Sequence, residues 1–507
     1  MSTSASRAIL LFILAAPAAA AEEPLSAIDW LSDSITAPVV AVPVEPEVTP
    51  GLPPETITTT PLDGPRPDAV GLLSPSATGL PARLWGPGDP GEIARLIRTE
   101  AVETLPAGQA LLTTVLLAEA EPPDAAAPDG ALLLARVDKL LDLGLVEEAG
   151  ALLERAGATT PELFRRAFDV SLLLGHENEA CAAMRARPDV APTFPARVFC
   201  LARGGDWTAA ALTLGTAGAL GQITPEEEAL LARFLDPDLF EGEPPLQPPA
   251  RPTPLVFRLH EAVGEPLPAA TLPRAFAHAD LRTTSGWKAQ IEAAERLART
   301  GALDPNRLLA LYTERLPAAS GGVWERVAAV QALDAAVASG DPGAVARTLP
   351  GAWDRMREGG LASVLGAIYG ERIQALPLSS EAAGLAFRLA LLSPAYEAAA
   401  AGHVPADREE ELLRAIARGL PPPRAEGMAQ LALSGLAQGA LPPARAAMLL
   451  RAGRLGEALL LALDDLAAGR AGDPRRMSEA LATFRAVGLE TTARRAALEY
   501  LLLAEPA

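Results

Sequence analysis

An all-α fold, an irregular solenoid of helical hairpins with an extended Pro-rich N-terminal region, is the class that this 507-residue sequence predicts. Three observations lead there. First, an idiom recurs about every thirty residues early in the chain: a helical segment runs into glycine and then into an alanine-containing second segment. It reads Leu143-Gly144 with Glu147-Glu148-Ala149, then Leu174-Gly175 with Glu179-Ala180, then Gly204-Gly205-Asp206 with Ala209-Ala210, and late in the chain Gly453-Arg454-Leu455-Gly456-Glu457-Ala458. Second, helix starts carry a capping oxygen followed by proline, at Thr160-Pro161-Glu162, Thr224-Pro225-Glu226-Glu227 and Asp304-Pro305. Proline at the first helical position loses no intrahelical bond, and acids there suit the positive helix end. Third, aromatic residues make up only 4% of the chain, so the core must come from Leu, Ala and Val, which suits close helix packing.

Residues 1–21 read as a cleavable secretory signal. Arg7 precedes an apolar run from Ala8 to Ala16, with Pro17 next and Ala19 and Ala21 placed for the small-residue positions before a cut. A membrane anchor fits less well, because about 14 apolar residues fall short of a roughly 30 Å hydrocarbon layer. The mature chain is therefore expected to be periplasmic, with no integral membrane span. Its formal charge moves from -20 to about -21 when Arg7 is removed. Such an acidic chain repels phosphate backbones, which excludes nucleic acid from the expected partners.

Residues 22–91 form the expected extended arm. Leu25, Ile28, Trp30 and Leu31 make a short apolar segment suited to docking, either on a partner or back on the body. Thirteen prolines between Pro38 and Pro90 favour extended backbone. Leu72, Leu73, Leu80, Leu84 and Trp85 are too apolar for a pure spacer, so part of the arm is expected to lie along the solenoid or a partner, with Leu84 and Trp85 as candidate docking residues.

Residues 92–235 are expected to form a first, TPR-like helical domain, opening with Ile93, Leu96 and Ile97 on one face. A Pro-rich linker over 236–269 follows, in which Val256 to His260 reads as a brief extended segment. Residues 270–507 form a second helical domain, with helices expected over Trp287 to Leu297, Arg307 to Leu316, Val323 to Val337 and Ala344 to Met356. Ser339-Gly340-Asp341-Pro342 supplies the break between the last two. Later segments centre on Leu385 to Leu391, Glu409 to Ile416, Met428 to Leu436, Ala444 to Leu450 and Glu457 to Leu466, and Met477 to Ala486 and Thr491 to Leu503 close the array.

Cys181 and Cys200 lie 19 residues apart in consecutive hairpins. In an oxidising compartment they are candidates for a disulfide; both read equally as buried small apolar side chains.

Catalytic patterns are incomplete. Ser285-Gly286-Trp287-Lys288 matches Ser-x-x-Lys, but the chain has no Lys-Thr-Gly element, and Lys139 and Lys288 are its only lysines. His176, His260, His278 and His403 occur singly, without the spacing of a zinc site. The runs Glu226-Glu227-Glu228 and Glu409-Glu410-Glu411 place consecutive carboxylates about 100° apart on a helix, a poor arrangement for attacking one bond. No phosphate loop follows a strand. The expectation is a chain with no catalytic, metal or cofactor site.

Leu140-Leu141-Asp142-Leu143-Gly144-Leu145-Val146-Glu147-Glu148-Ala149 resembles the tetratricopeptide repeat where its first helix passes through leucine-glycine into an acidic second helix. Leu172-Leu173-Leu174-Gly175 with Glu179-Ala180 repeats it, and Gly453 to Leu460 matches in part. The resemblance implies a protein- or peptide-binding superhelix. With export it leads to the expectation of a periplasmic scaffold or adaptor for another cell-envelope protein, such as a flagellar-motor or pilus component. An envelope polysaccharide or peptide hydrolase with a non-local active site, and a holdase-like chaperone, are the competing expectations.

Overall fold

The computed structural model describes residues 66–125, 130–157, 160–378 and 380–503. The expected signal and the apolar segment at Leu25, Ile28, Trp30 and Leu31 lie outside the described residues. Among the described residues the protein is all-α, with twenty-three α-helices of six residues or more and no named strand. An isolated parallel bridge joins Leu73 to Ala118. Most helices pack on their sequence neighbours, the arrangement of an irregular helical solenoid.

The helices before the middle of the chain are α1 (Pro90–Thr99), α2 (Pro106–Leu117), α3 (Ala131–Leu143), α4 (Val146–Ala156), α5 (Pro161–Leu174), α6 (Glu177–Ala186), α7 (Phe194–Arg203), α8 (Trp207–Ala219), α9 (Pro225–Leu235) and α10 (Pro254–Ala262). After a short irregular stretch come α11 (Trp287–Ala298), α12 (Pro305–Thr313), α13 (Val323–Ser339), α14 (Pro342–Glu358), α15 (Ala362–Gln374) and α16 (Ser380–Leu391). The last seven are α17 (Tyr396–Gly402), α18 (Arg408–Ala417), α19 (Gly427–Ala432), α20 (Ala444–Arg451), α21 (Leu455–Arg470), α22 (Pro474–Ala486) and α23 (Glu490–Leu502).

The glycine joints behave as turns. Gly144 and Gly175 take φ +86° and +83°, the left-handed region that ends a helix and that residues with a Cβ rarely adopt. The cap chemistry also holds, since the Thr160, Thr224 and Asp304 side chains each accept a backbone N–H from the first turn they precede.

One departure from the sequence reading matters for function. Val256 to His260, expected as extended, lies inside α10. Thr253 caps that helix and Pro254 occupies its first position, so the Thr-Pro device operates here as it does elsewhere. Residues 66–91, the stretch expected to lie along the solenoid or a partner, pack on the body. Leu72 N–H and Leu73 N–H both donate to Leu117 O, at 2.8 and 3.0 Å, and Glu119 N–H donates to Leu73 O at 2.8 Å. Arg136, buried on α3, fastens this strip to the end of α2 by donating to Leu116 O at 2.7 Å, Val70 O at 2.7 Å and Ala118 O at 3.0 Å. Burial pulls its pKa down to about 10, which leaves it charged at neutral pH.

The ends of the described helical body meet. α1 and α2 pack on α21, and α2 packs on α23. Gly456 N–H donates to Leu84 O at 2.8 Å, and the Trp85 ring lies against Gly456 so closely that a Cβ there would collide with it. Ala107 N–H donates to Glu499 Oε2 at 2.7 Å. Leu84 and Trp85 are therefore buried in this seam, and Trp85 is only 1% exposed.

Buried side chains form one large cluster running from Leu80 to Leu502, a second from Phe164 to Leu259 and a small third of Ala446, Leu449, Ala458 and Leu461. The second cluster marks a lobe made by α5 to α10. α5 serves both, with Leu163, Val170 and Leu173 facing the large cluster and Phe164, Phe168 and Leu172 facing the lobe. α10 returns to pack on α5 and closes the lobe at its base. The buried core thus divides around this excursion.

Candidate functional site

A cleft of about 760 Å³ opens in the lobe, where four helix beginnings converge. Its walls come from the first turns of α5, the approach to α7, and the starts of α9 and α10. Each helix begins with the same local chemistry. Thr160 Oγ1 accepts Leu163 N–H at 3.3 Å, and Thr193 Oγ1 accepts Ala196 N–H at 3.2 Å. Thr224 Oγ1 accepts Glu227 N–H at 3.2 Å while Glu227 Oε2 accepts Thr224 N–H at 2.9 Å, a capping box. Thr253 Oγ1 accepts Val256 N–H at 3.2 Å. The helix dipoles place partial positive charge at these ends.

The cleft's charged lining comes mainly from α5. Arg165, Arg166 and Asp169 are all buried, and Arg166 is 4% exposed. Arg166 Nε donates to Asp138 Oδ1 at 3.2 Å, and Arg165 Nε lies 3.7 Å from Asp169 Oδ2. Two buried atoms in this wall, Arg166 Nη1 and Asp169 Oδ2, have no hydrogen-bond partner among the described residues. Burial pushes the Asp169 carboxyl up to about 6, against the pull of Arg165 and Arg166. Burial also lowers the Arg165 guanidinium. Arg197 lines the cleft from α7, exposed, donating to Pro188 O at 3.1 Å. Phe168, Phe194, Ile223, Leu255 and Val256 supply the apolar part of the lining.

No family model, no curated protein and no solved structure matches this chain. The architecture is that of a generic helical solenoid, without assignment to a particular tetratricopeptide family.

The remaining sequence candidates fall elsewhere. Cys181 and Cys200 form a disulfide with Cα atoms 5.0 Å apart, tying α6 to α7 behind the cleft lining. Leu84 and Trp85 are in the seam described above, away from solvent. Lys288 forms an exposed ion pair with Glu292 at 3.4 Å. His278 Nε2 lies 2.7 Å from Gly144 O and His403 Nε2 lies 2.8 Å from Glu410 Oε2, each in a separate structural contact. Among the described residues no group of three or more His, Cys, Asp or Glu is arranged to hold a metal ion. No described helix is long and apolar enough to cross a membrane.

Sequence reasoning missed the cleft. Thr253-Pro254 repeats the cap signature of Thr160-Pro161 and Thr224-Pro225, and Thr193 with Pro195 is a near variant. Four such caps within one hundred residues were the available signal. Their convergence depends on α10 returning to α5, which no local pattern encodes.

Proposed function

We propose that this protein is a periplasmic scaffold or adaptor that binds another cell-envelope protein through its helical-repeat surface. The cleft carries this reading. It is a concavity built from rigid helix beginnings, large enough for several side chains and lined by both apolar and charged groups. A disulfide in the same lobe suits an oxidising compartment. In this reading the chain performs no covalent chemistry, and a flagellar-motor or pilus component is one kind of partner it would serve.

Affinity capture of the full chain from envelope extracts, compared with a chain lacking residues 22–65, tests the proposal. The deletion must stop at 65 because residues 66–91 are structural. One reproducible, saturable partner is the expected result. Recovery of no specific partner after mild crosslinking would remove the scaffold reading.

One observation favours hydrolysis as a second reading. Asp169 is a carboxyl in a cleft with a pKa raised by burial. Release of products from peptidoglycan by the wild-type chain, lost in Asp169→Asn, would support it; intact substrate with both would end it.

A further inference from the structure

We propose that the lobe cleft is a binding site for this chain's own N-terminal segment around Leu25, Ile28, Trp30 and Leu31, which fills it when no partner is present. This occupancy belongs to the isolated chain and so goes beyond the scaffold reading; an envelope partner that uses the cleft binds by replacing the segment.

Charge does not choose the occupant. Arg165, Arg166 and Arg197 line the cleft alongside Glu162, Asp169 and Glu227, a balanced set. The choice comes from where the chain enters the body. Asp68 Oδ1 accepts Leu133 N–H at 2.7 Å, which fixes the first described residues at the start of α3. A Cβ on Gly130, just before that helix, would lie 3.3 Å from Pro67 Cβ and 4.0 Å from Leu163 Cδ1. Leu163 shares the first turn of α5 with Pro161 and Glu162, both of which line the cleft. The arm therefore joins the body within one helix width, about 10 Å, of the cleft wall. The 34 residues from Ser32 to Pro65 separate Leu31 from this point. A coil of that length covers about 30 Å, so the tether reaches the cleft without displacing a helix. Tethering at this range gives the segment an effective concentration of about millimolar, which lets modest affinity fill the site.

The buried wall of the cleft asks for a donor and an acceptor together. Arg166 and Asp169 are each 4% exposed, and Arg166 Nη1 and Asp169 Oδ2 have no hydrogen-bond partner among the described residues. Asp169 Oδ2 lies 3.7 Å from Arg165 Nε, an ion-pair contact longer than a hydrogen bond. Leaving such groups unmade costs free energy that a ligand recovers by pairing them. Arg166 Nη1 requires an acceptor, and Asp169 Oδ2 requires a donor. Asp29 and Trp30 bring a carboxylate and an indole N–H next to one another in the segment. Between residues 22 and 65, Trp30 is the only aromatic residue and the only side chain with an N–H. Leu25, Ile28 and Leu31 add apolar surface for Phe168, Phe194, Ile223, Leu255 and Val256, which line the cleft.

The test uses the purified full chain, free of envelope extract, with a photoreactive residue at Ile223 in the cleft or at exposed Leu316 as the control. Peptide mapping by mass spectrometry identifies what each position reaches. Position 223 is expected to crosslink within its own chain to the peptide holding residues 22–34, and position 316 is not. Replacing Ile28 and Trp30 together, as Ile28→Ser with Trp30→Ser, is expected to lower that yield about tenfold or more, the size of a lost apolar anchor. Both positions lie outside the described body, and circular dichroism checks that helix content is unchanged. Three results would each overturn the proposal: no crosslink between position 223 and residues 22–34, a product joining two chains in its place, or an unchanged yield in the double variant. Capture of an envelope partner is read separately in extracts, so failure of the segment contact leaves the scaffold reading standing.

Discussion

Replacing Trp85 by alanine should open the seam that joins the two ends of the helical body. The ring is 1% exposed and lies against Gly456 at the start of α21, while the neighbouring Leu84 O accepts Gly456 N–H at 2.8 Å. Truncating a buried tryptophan costs about 3–5 kcal/mol, from lost transfer free energy plus the cavity left behind. At about 1.4 kcal/mol per factor of ten, local opening of the seam rises by roughly a hundredfold to several thousandfold. Native-state hydrogen exchange of the full chain, read by mass spectrometry, reports this directly. Faster exchange is expected in Pro90–Thr99 and in Leu455–Arg470, on both sides of the seam. Trp207→Ala is the control, because Trp207 is 50% exposed on the lobe and its loss should leave the seam untouched. If Trp85→Ala changes seam exchange no more than Trp207→Ala does, the two ends are not held together by this contact.

Three further outcomes follow from particular contacts. Burial lifts the Glu499 carboxyl from the usual carboxylate value to about 7, with Ala107 N–H and Arg495 opposing, so the folded chain binds this proton more tightly than the unfolded chain. Its contribution is complete below about pH 4.5 and is lost as pH rises to about 7, by up to about 3 kcal/mol. Chemical denaturation across that window should show the decline, and Glu499→Gln should flatten it. Breaking the Cys181–Cys200 bond should loosen the α5–α10 lobe by about 3 kcal/mol, the loop-entropy value for a separation of 19 residues. Limited proteolysis with and without reductant should find new cuts in the lobe before the seam, and equal protection in both states would contradict this. Gly144→Ala and Gly175→Ala impose the same left-handed strain, about 1 kcal/mol each, but only the first adds a collision. A Cβ on Gly144 would sit 2.7 Å from Leu297 Cδ2, whereas nothing lies within 4 Å of one on Gly175. Gly144→Ala should therefore cost at least about 1 kcal/mol more in thermal or denaturant unfolding; equal costs would mean the Leu297 contact is not rigid.

Much of the helical content was legible because its signals are local. Val323 to Val337 was read directly from apolar spacing, and the observed helix runs to Ser339 before Gly340 turns the chain and Pro342 starts the next. α15 was not read. Its Gly366 and Gly370 look like breaks, yet both face α16 or the residue just after it, where Cβ atoms would lie 2.7 Å from Leu392 Cβ and 3.0 Å from Ala390 Cα. These glycines allow close helix packing, a property that depends on the partner helix. The same reason hides the seam. Gly456 reads as part of a repeat joint, and only the folded chain shows that Trp85 needs the space above it. Arg136 had no local sign of its role either, since its acceptors at 70, 116 and 118 come from two strips of chain that meet only in the folded protein. In the lobe, the prolines at 244–249 dominated the reading and masked the cap at Thr253-Pro254, so α10 and the cleft it completes were missed together.

Site-specific photocrosslinking in intact cells tests most directly whether the lobe cleft is where this protein meets an envelope partner. A photoreactive residue at Ile223 samples the cleft, and one at Leu316 samples an exposed position outside it. The account predicts one discrete adduct from position 223, reduced by Arg197→Glu, and no such adduct from position 316. No adduct from 223, or the same mixture of products from both positions, would contradict it.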